Sequence, residues 1–167
     1  ACSLYYVFCT SRVERYGGCV MNYIPDAVLF ACNMNAVRSA MAESILKHLH
    51  GHQVYVDSAG VRQGEPDHFA IEIMEEVGID LSGHKPKRLR DLEDTSYDLI
   101  VTLSPEAQHH AIEMTRTMAA EVEFWPTMDP NYITGNRDRR LGAYRQIRDQ
   151  LLERIKERFP VIPAADI

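Results

Sequence analysis

Cys32 and Arg38 stand with five residues between them in the stretch Cys32-Asn33-Met34-Asn35-Ala36-Val37-Arg38-Ser39. The stretch leaves an apolar run, Ala27-Val28-Leu29-Phe30-Ala31, and opens into Ala40-Met41-Ala42-Glu43-Ser44-Ile45-Leu46-Lys47-His48-Leu49, which reads as a helix. A loop between a strand end and a helix start aims its backbone N–H groups and the positive end of the helix dipole at one point. A cysteine held there ionises readily and becomes a nucleophile. An arginine fork grips two oxygens of a tetrahedral oxyanion at once. Thiolate and cradle together imply covalent phosphoryl transfer: Cys32 attacks phosphorus and carries the group, and Arg38 offsets charge in the transition state. Residues Asn33, Met34, Asn35, Ala36, Val37, Arg38 and Ser39 form the cradle. The Ser39 hydroxyl can donate to the sulfur or cap the helix. Asn35 suits a left-handed backbone that turns an amide inward.

Such chemistry also requires an acid for the leaving oxygen. Asp129 precedes Pro130, and a residue before proline is held extended, which projects its carboxyl group away from the chain. Spacing alone does not make a site. Cys9-Thr10-Ser11-Arg12-Val13-Glu14-Arg15 repeats the cysteine–arginine interval, but Tyr16-Gly17-Gly18 follows it and stops a helix. The elements that must position Cys32 and Asp129 alternate along the chain. Residues 53–57 read as a second strand, 66–77 as a helix and 98–103 as a strand buried on both faces. Residues 105–118 read as helix, 121–125 as a short strand and 139–158 as a long helix. The expected fold is a single α/β domain: a four-stranded parallel sheet with helices on both faces and the phosphate-binding loop after the first strand. Ligands of such sheets sit beyond the carboxyl ends of the strands, where strand order reverses.

With 167 residues, 46% hydrophobic and 25% charged, the composition is that of one globular domain. A net charge of -6 argues against nucleic acid as a partner. No apolar stretch approaches the ~18 residues of a membrane span. Cys2, Cys9, Cys19 and Cys32 all fall in the first fifth of the chain, unlike a disulfide framework. Residues 1–20 read as a dispensable extension ahead of a domain over 21–167, and a catalytic thiol fits a reducing cytoplasm. Lys85-Pro86-Lys87-Arg88-Leu89-Arg90 reads as a solvated basic loop, with attraction of acidic substrates as the alternative. His48, His50 and His52 read as a solvated helix end rather than a ligand set. The chemistry calls for no metal or other cofactor, because Arg38 and the loop amides supply the positive charge.

From about Ala27 to about Lys156 the chain resembles the low-molecular-weight protein tyrosine phosphatases and the arsenate reductases that share their fold. Besides the cysteine loop, the likeness runs through Val56-Asp57-Ser58-Ala59-Gly60-Val61, Gly78-Ile79-Asp80-Leu81-Ser82-Gly83-His84-Lys85-Pro86-Lys87, Asp98-Leu99-Ile100-Val101-Thr102-Leu103 and Met128-Asp129-Pro130. The resemblance implies that Asn35 holds the loop's shape with help from Ser58, that His84 supports the loop, and that Asp129 is the acid and then the base for water. It implies Tyr132 as a wall of the substrate slot. The chain departs from the family at several positions. Neither Arg62 nor Gln63 is the aromatic second wall, and Val37 stands where many members carry a shielding cysteine. Ser104 stands where thioredoxin-coupled reductases carry a resolving cysteine, and no cysteine follows Cys32. The main expectation is therefore hydrolysis of phosphomonoesters, of phosphorylated protein or small aryl type, through a cysteinyl phosphate. The alternatives are arsenate reduction with an external thiol, and a non-catalytic phosphate- or phosphoprotein-binding module.

Overall fold

The computed structural model describes residues 24–93 and 96–161. Its first strand, β1 (Ala27–Cys32), is buried from Val28 onward because both of its faces are covered. The two-residue period sends Val28, Phe30 and Cys32 into one apolar cluster and Leu29 and Ala31 into another. β1 pairs in parallel with β2 (Tyr55–Gly60) on one side and β3 (Leu99–Thr102) on the other, and β3 pairs in parallel with β4 (Glu121–Phe124). The sheet order is β2-β1-β3-β4.

Parallel strands need crossovers, and four helices supply or follow them: α1 (Arg38–His50), α2 (His68–Glu75), α3 (Pro105–Met114) and α4 (Arg137–Arg158). α1, α2 and α4 pack on the Phe30 face, where Met41, Ile45, Ile73, Tyr144, Leu151 and Phe159 are buried. α3 packs through Ala107 and Ala111 on the Leu29 face. Burial of each large apolar side chain in these layers contributes about 1.5–3 kcal/mol. The architecture is thus the expected single α/β domain with a four-stranded parallel sheet covered on both faces.

Several boundaries differ from those read off the sequence. The second strand runs Tyr55–Gly60 instead of 53–57, because Ser58, Ala59 and Gly60 are buried whichever way they point, and alternation carries no signal there. α2 begins after Asp67, whose side chain accepts from the Ala70 amide, so Pro66 lies outside the helix. α3 ends at Met114. α4 begins two residues early, capped by Asn136. His50 is no part of a solvated helix end. It is buried, and its Nε2 lies 2.8 Å from the Phe159 carbonyl oxygen, tying the end of α1 to the end of α4. Among the described residues no helix is long and apolar enough to cross a membrane. Residues 1–20, and with them Cys2, Cys9 and Cys19, lie outside the described residues.

Candidate active site

Cys32 closes β1, and β1 is flanked by β2 and β3, so the chain leaves for opposite sides of the sheet around this point. This is the switch point at which open α/β sheets form their ligand crevice. The loop that follows doubles back over the sulfur. The Asn35 amide donates to Cys32 Sγ at 3.3 Å, and Ser39 Oγ lies 2.9 Å from it. Once the thiol is ionised, sulfur can only accept, so Ser39 then donates. Asn35 takes a left-handed conformation with φ 54°, which turns its amide inward.

A polar network behind the loop fixes that shape. Asn35 Nδ2 donates to Ser39 Oγ at 2.9 Å and to Ser58 Oγ at 2.8 Å, while its Oδ1 accepts from the Lys87 amide at 3.0 Å. His84 Nε2 meets the Asn35 carbonyl oxygen at 2.8 Å. The Ser58 hydroxyl donates to Glu43, which also pairs with Lys47 and lies 3.5 Å from His84 Nδ1. Glu43 is buried and was given no role by the sequence. No local pattern marks it, since Ser58 and His84 are remote in the chain.

The segment leaving β2 presses against the other side of the loop. Val61 donates its amide to the Cys32 carbonyl at 3.0 Å, Arg62 to Asn33 at 2.8 Å and Gly64 to Met34 at 2.8 Å. Gly60 permits this approach: a Cβ there would stand 2.4 Å from the Arg62 carbonyl oxygen and 2.7 Å from the Asn35 nitrogen. Asn33 Oδ1 accepts from the Ser104 hydroxyl at 2.5 Å. The basic run of residues 85–90 is stitched down rather than simply solvated: the Lys87 carbonyl accepts from the Gly60 amide, and its ammonium pairs with buried Asp57 at 2.5 Å.

α1 opens without a side-chain cap at Val37 and without an acidic residue in its first turn, whereas Asp67, Ser104 and Asn136 cap the other three helices. The first-turn amides of α1 thus keep their partial positive charge beside the loop. Arg38, 6% exposed, donates from Nη1 to the Thr127 carbonyl at 2.9 Å and from Nη2 to Asp129 Oδ2 at 3.1 Å. Asp129 Oδ1 accepts from the backbone and side-chain nitrogens of Asn131, each at 3.0 Å. Asn131 Oδ1 in turn lies 3.1 Å from the Tyr144 hydroxyl, which also meets Asp67 Oδ2 at 2.9 Å. Burial raises the pKa of Tyr144 above its ordinary value, and the hydrogen bond to Asp67 adds to the shift, so the group remains a donor.

The structure thus brings Cys32, Asn35, Ser39, Ser58 and His84 into one network and Arg38 and Asp129 into a pair. Tyr132 is 81% exposed just beyond Asn131. Arg62 pairs with Glu106 at 2.7 Å and 3.2 Å. Among the described residues, no group of three or more His, Cys, Asp or Glu side chains is placed to hold a metal ion. The arrangement suits a thiolate attacking a tetrahedral oxyanion, with an arginine clamp and a carboxyl group at hand.

A family model described as low molecular weight phosphotyrosine protein phosphatase matches residues 27–159. A glutaredoxin arsenate reductase from Synechocystis sp. is 31% identical over 130 residues, 77% of this chain and 92% of that protein. An arsenate reductase from Bacillus subtilis is 31% identical over 130 residues, 78% of this chain and 92% of that protein. A solved arsenate reductase in its phosphate-binding state is 28% identical, with a TM-score of 0.62 over 79% of this chain and 95% of that one. A tyrosine phosphatase from Erwinia amylovora shares the fold, with a TM-score of 0.67 at 18% identity over 86% of this chain and 97% of that one.

These relatives overturn the main functional expectation. Curated proteins about 30% identical over most of the chain are named arsenate reductases, so phosphomonoester hydrolysis gives way to the arsenate alternative. The physical reason is that the cradle recognises charge and tetrahedral shape, which phosphate and arsenate share.

Proposed function

The chain belongs to the low molecular weight phosphotyrosine protein phosphatase family, and from that premise we propose that this cysteine-based enzyme reduces arsenate with an external thiol. The observation that carries the reading is the identity with arsenate reductases across nine-tenths of their length. The external thiol is inferred from the cysteines: none follows Cys32 in the sequence, Ser104 has a hydroxyl after β3, and Cys32 is the free cysteine among the described residues.

The geometry supports the following roles. Arg38 and the amides of residues 33–39 hold the arsenate oxygens and offset their charge. The Cys32 thiolate forms an S–As bond as one oxygen departs, and Asp129 supplies the proton that lets it leave as water. Ser39 steadies the sulfur, and Asn35, Ser58 and His84 keep the loop in shape. A thiolate from outside the fold then attacks Cys32 Sγ. The new S–S bond forms as the S–As bond breaks, its electron pair passes to arsenic, and arsenite leaves. A second external thiol cleaves the mixed disulfide and restores Cys32. Two thiols and one arsenate thus yield one disulfide, one arsenite and one water. A reducing cytoplasm is the compartment we propose, since it keeps both Cys32 and a thiol pool reduced.

Arsenate-dependent NADPH oxidation with glutathione, glutaredoxin and glutathione reductase tests the reading, with arsenite measured directly. Steady consumption that stops when arsenate is replaced by phosphate is the expected result. Absence of arsenite with glutathione, glutaredoxin or dithiothreitol as reductant would overturn it.

A further inference from the structure

Behind Asp129 a chain of polar contacts reaches into the core. Tyr144 is fully buried, with its ring edge-on to that of Phe69 at 5.5 Å between centroids. Its hydroxyl lies 2.9 Å from Oδ2 of Asp67, whose other oxygen caps α2, and 3.1 Å from Oδ1 of Asn131. Both of those oxygens are acceptors, and a hydroxyl has one proton to give. Where the proton goes to Asn131, it fixes which way that amide faces: Oδ1 is held toward Tyr144, so Nδ2 must point toward Asp129. There Nδ2 and the Asn131 backbone nitrogen both donate to Asp129 Oδ1, each at 3.0 Å. An oxygen that already accepts two N–H groups is a poor place for a proton, so the proton of Asp129 belongs on Oδ2. Oδ2 is the oxygen 3.1 Å from Arg38 Nη2, beside the cradle. Asn131 itself is exposed, and without the buried hydroxyl its amide would turn in water.

We propose that Tyr144 and Asn131 are positioning residues for Asp129: Tyr144 fixes the Asn131 amide, and Asn131 directs the acid proton to the oxygen that faces the bound anion. The proposal rests on the arsenate-reductase reading, in which Asp129 is the acid. In that step the Asp129 Oδ2–H bond breaks and its proton passes to the arsenate oxygen that leaves as water. The S–As bond forms as the As–O bond breaks, and Asp129 is left as a carboxylate. The charge gained on Oδ1 then meets two N–H groups already aimed at it, which favours the transition state over the neutral acid. Asp67 contends for the same hydroxyl proton, so it weakens the relay rather than building it.

Tyr144→Phe keeps the ring in the core and removes only the hydroxyl. With saturating dithiothreitol it should lower kcat for arsenate reduction about tenfold, part of the roughly 10²–10⁴ that general acid catalysis supplies, and leave KM for arsenate within about twofold. In an Asp129→Asn background the same substitution should have no further effect, because the group it positions is gone. Asp67→Ser keeps a capping side chain on α2 and releases the hydroxyl proton to Asn131, so its kcat should equal or exceed that of the wild type. Asn131→Ala, at an exposed position, should match the loss in Tyr144→Phe and carries the test if that variant does not fold. Asn131→Asp, which sets a carboxylate against Asp129 Oδ1, should lose at least as much. Unchanged kcat in Tyr144→Phe or in Asn131→Ala, a full further loss in the Asp129→Asn background, or an equal loss in Asp67→Ser would overturn the proposal. If the wild type reduces no arsenate, the functional reading fails, and the Asn131 side-chain amide resonance of the 15N-labelled full chain decides the anchor. A shift of that resonance in Tyr144→Phe supports it, and an unmoved signal overturns it.

Discussion

At Cys32 the sulfur is the single atom that must attack, accept and leave. Exchanging it for a hydroxyl keeps the loop amides and Arg38 in place. Cys32→Ser should therefore reduce arsenite formation by more than about 10³-fold, yet calorimetry should still record oxyanion binding. Arg38→Lys should lose both, because the guanidinium donates to Thr127 and Asp129 from two nitrogens and an ammonium cannot reproduce that fork. Normal arsenate affinity in Arg38→Lys would show that the loop amides alone hold the anion. Residue type and interval made Cys32 and Arg38 legible in the sequence, and Asn35 could be read from its tolerance of left-handed backbone. Glu43 could not. A carboxylate four residues before a lysine on a helix looks solvated, and only the fold brings Ser58 and His84 to it. His50 misleads for the same reason, since its partner is the carbonyl of Phe159.

Between elements, α2 and α4 are clamped by Glu76, which accepts from Arg145 at 2.7 Å and Arg148 at 2.9 Å. These hydrogen bonds hold its pKa at about 2, below the ordinary 4.5. A carboxylate depressed in the folded state binds its proton more readily in the unfolded chain. Its stabilising contribution is thus full above about pH 4.5 and is lost as pH falls toward about 2. Melting temperature measured from pH 5 to pH 2 should fall less steeply in Glu76→Gln than in the wild type. Parallel curves would mean that the clamp adds nothing. β2 tells how far strands are readable. Its period-two signal fades where Ser58, Ala59 and Gly60 are all buried, so the register came only from pairing with β1. Gly60→Ala should push the Arg62 carbonyl and Asn35 amide apart, costing about 1–3 kcal/mol as an overpacked site does. Denaturant unfolding and arsenite formation should both register it, and an unaltered midpoint would show that the loop yields freely.

For the molecule as a whole, the alternation of strands and helices was enough to specify a parallel sheet covered on both faces. Which oxyanion it handles was not, because phosphorus and arsenic chemistry share the cradle and diverge in what resolves the cysteine adduct, water for phosphorus and a reducing thiol for arsenic. The residues bearing on that choice, Arg62, Val37 and Ser104, differ from the family pattern without declaring what replaces it. We also propose that residues 21–167 fold without residues 1–20, since β1 begins at Ala27 and the family match begins at residue 27. Deleting residues 1–20 should leave Tm within about 2 °C, equivalent to less than about 1 kcal/mol for a domain of this size. Insoluble protein, or a larger fall, would make that segment part of the core.

The contact between Arg38 and Asp129 has a consequence for affinity. The clamp meets a tethered carboxylate at 3.1 Å, and a tethered group competes as if present at roughly millimolar effective concentration. Asp129 is therefore expected to compete with the oxyanion for Arg38, besides being the proposed acid. It sets a threshold that every incoming oxyanion must exceed, whether arsenate or the phosphate it resembles. Asp129→Asn should separate the two effects, tightening oxyanion binding in calorimetry while slowing turnover by roughly 10²–10⁴-fold. Weaker binding in that variant would mean that the carboxylate holds Arg38 ready for the anion instead of contending with it.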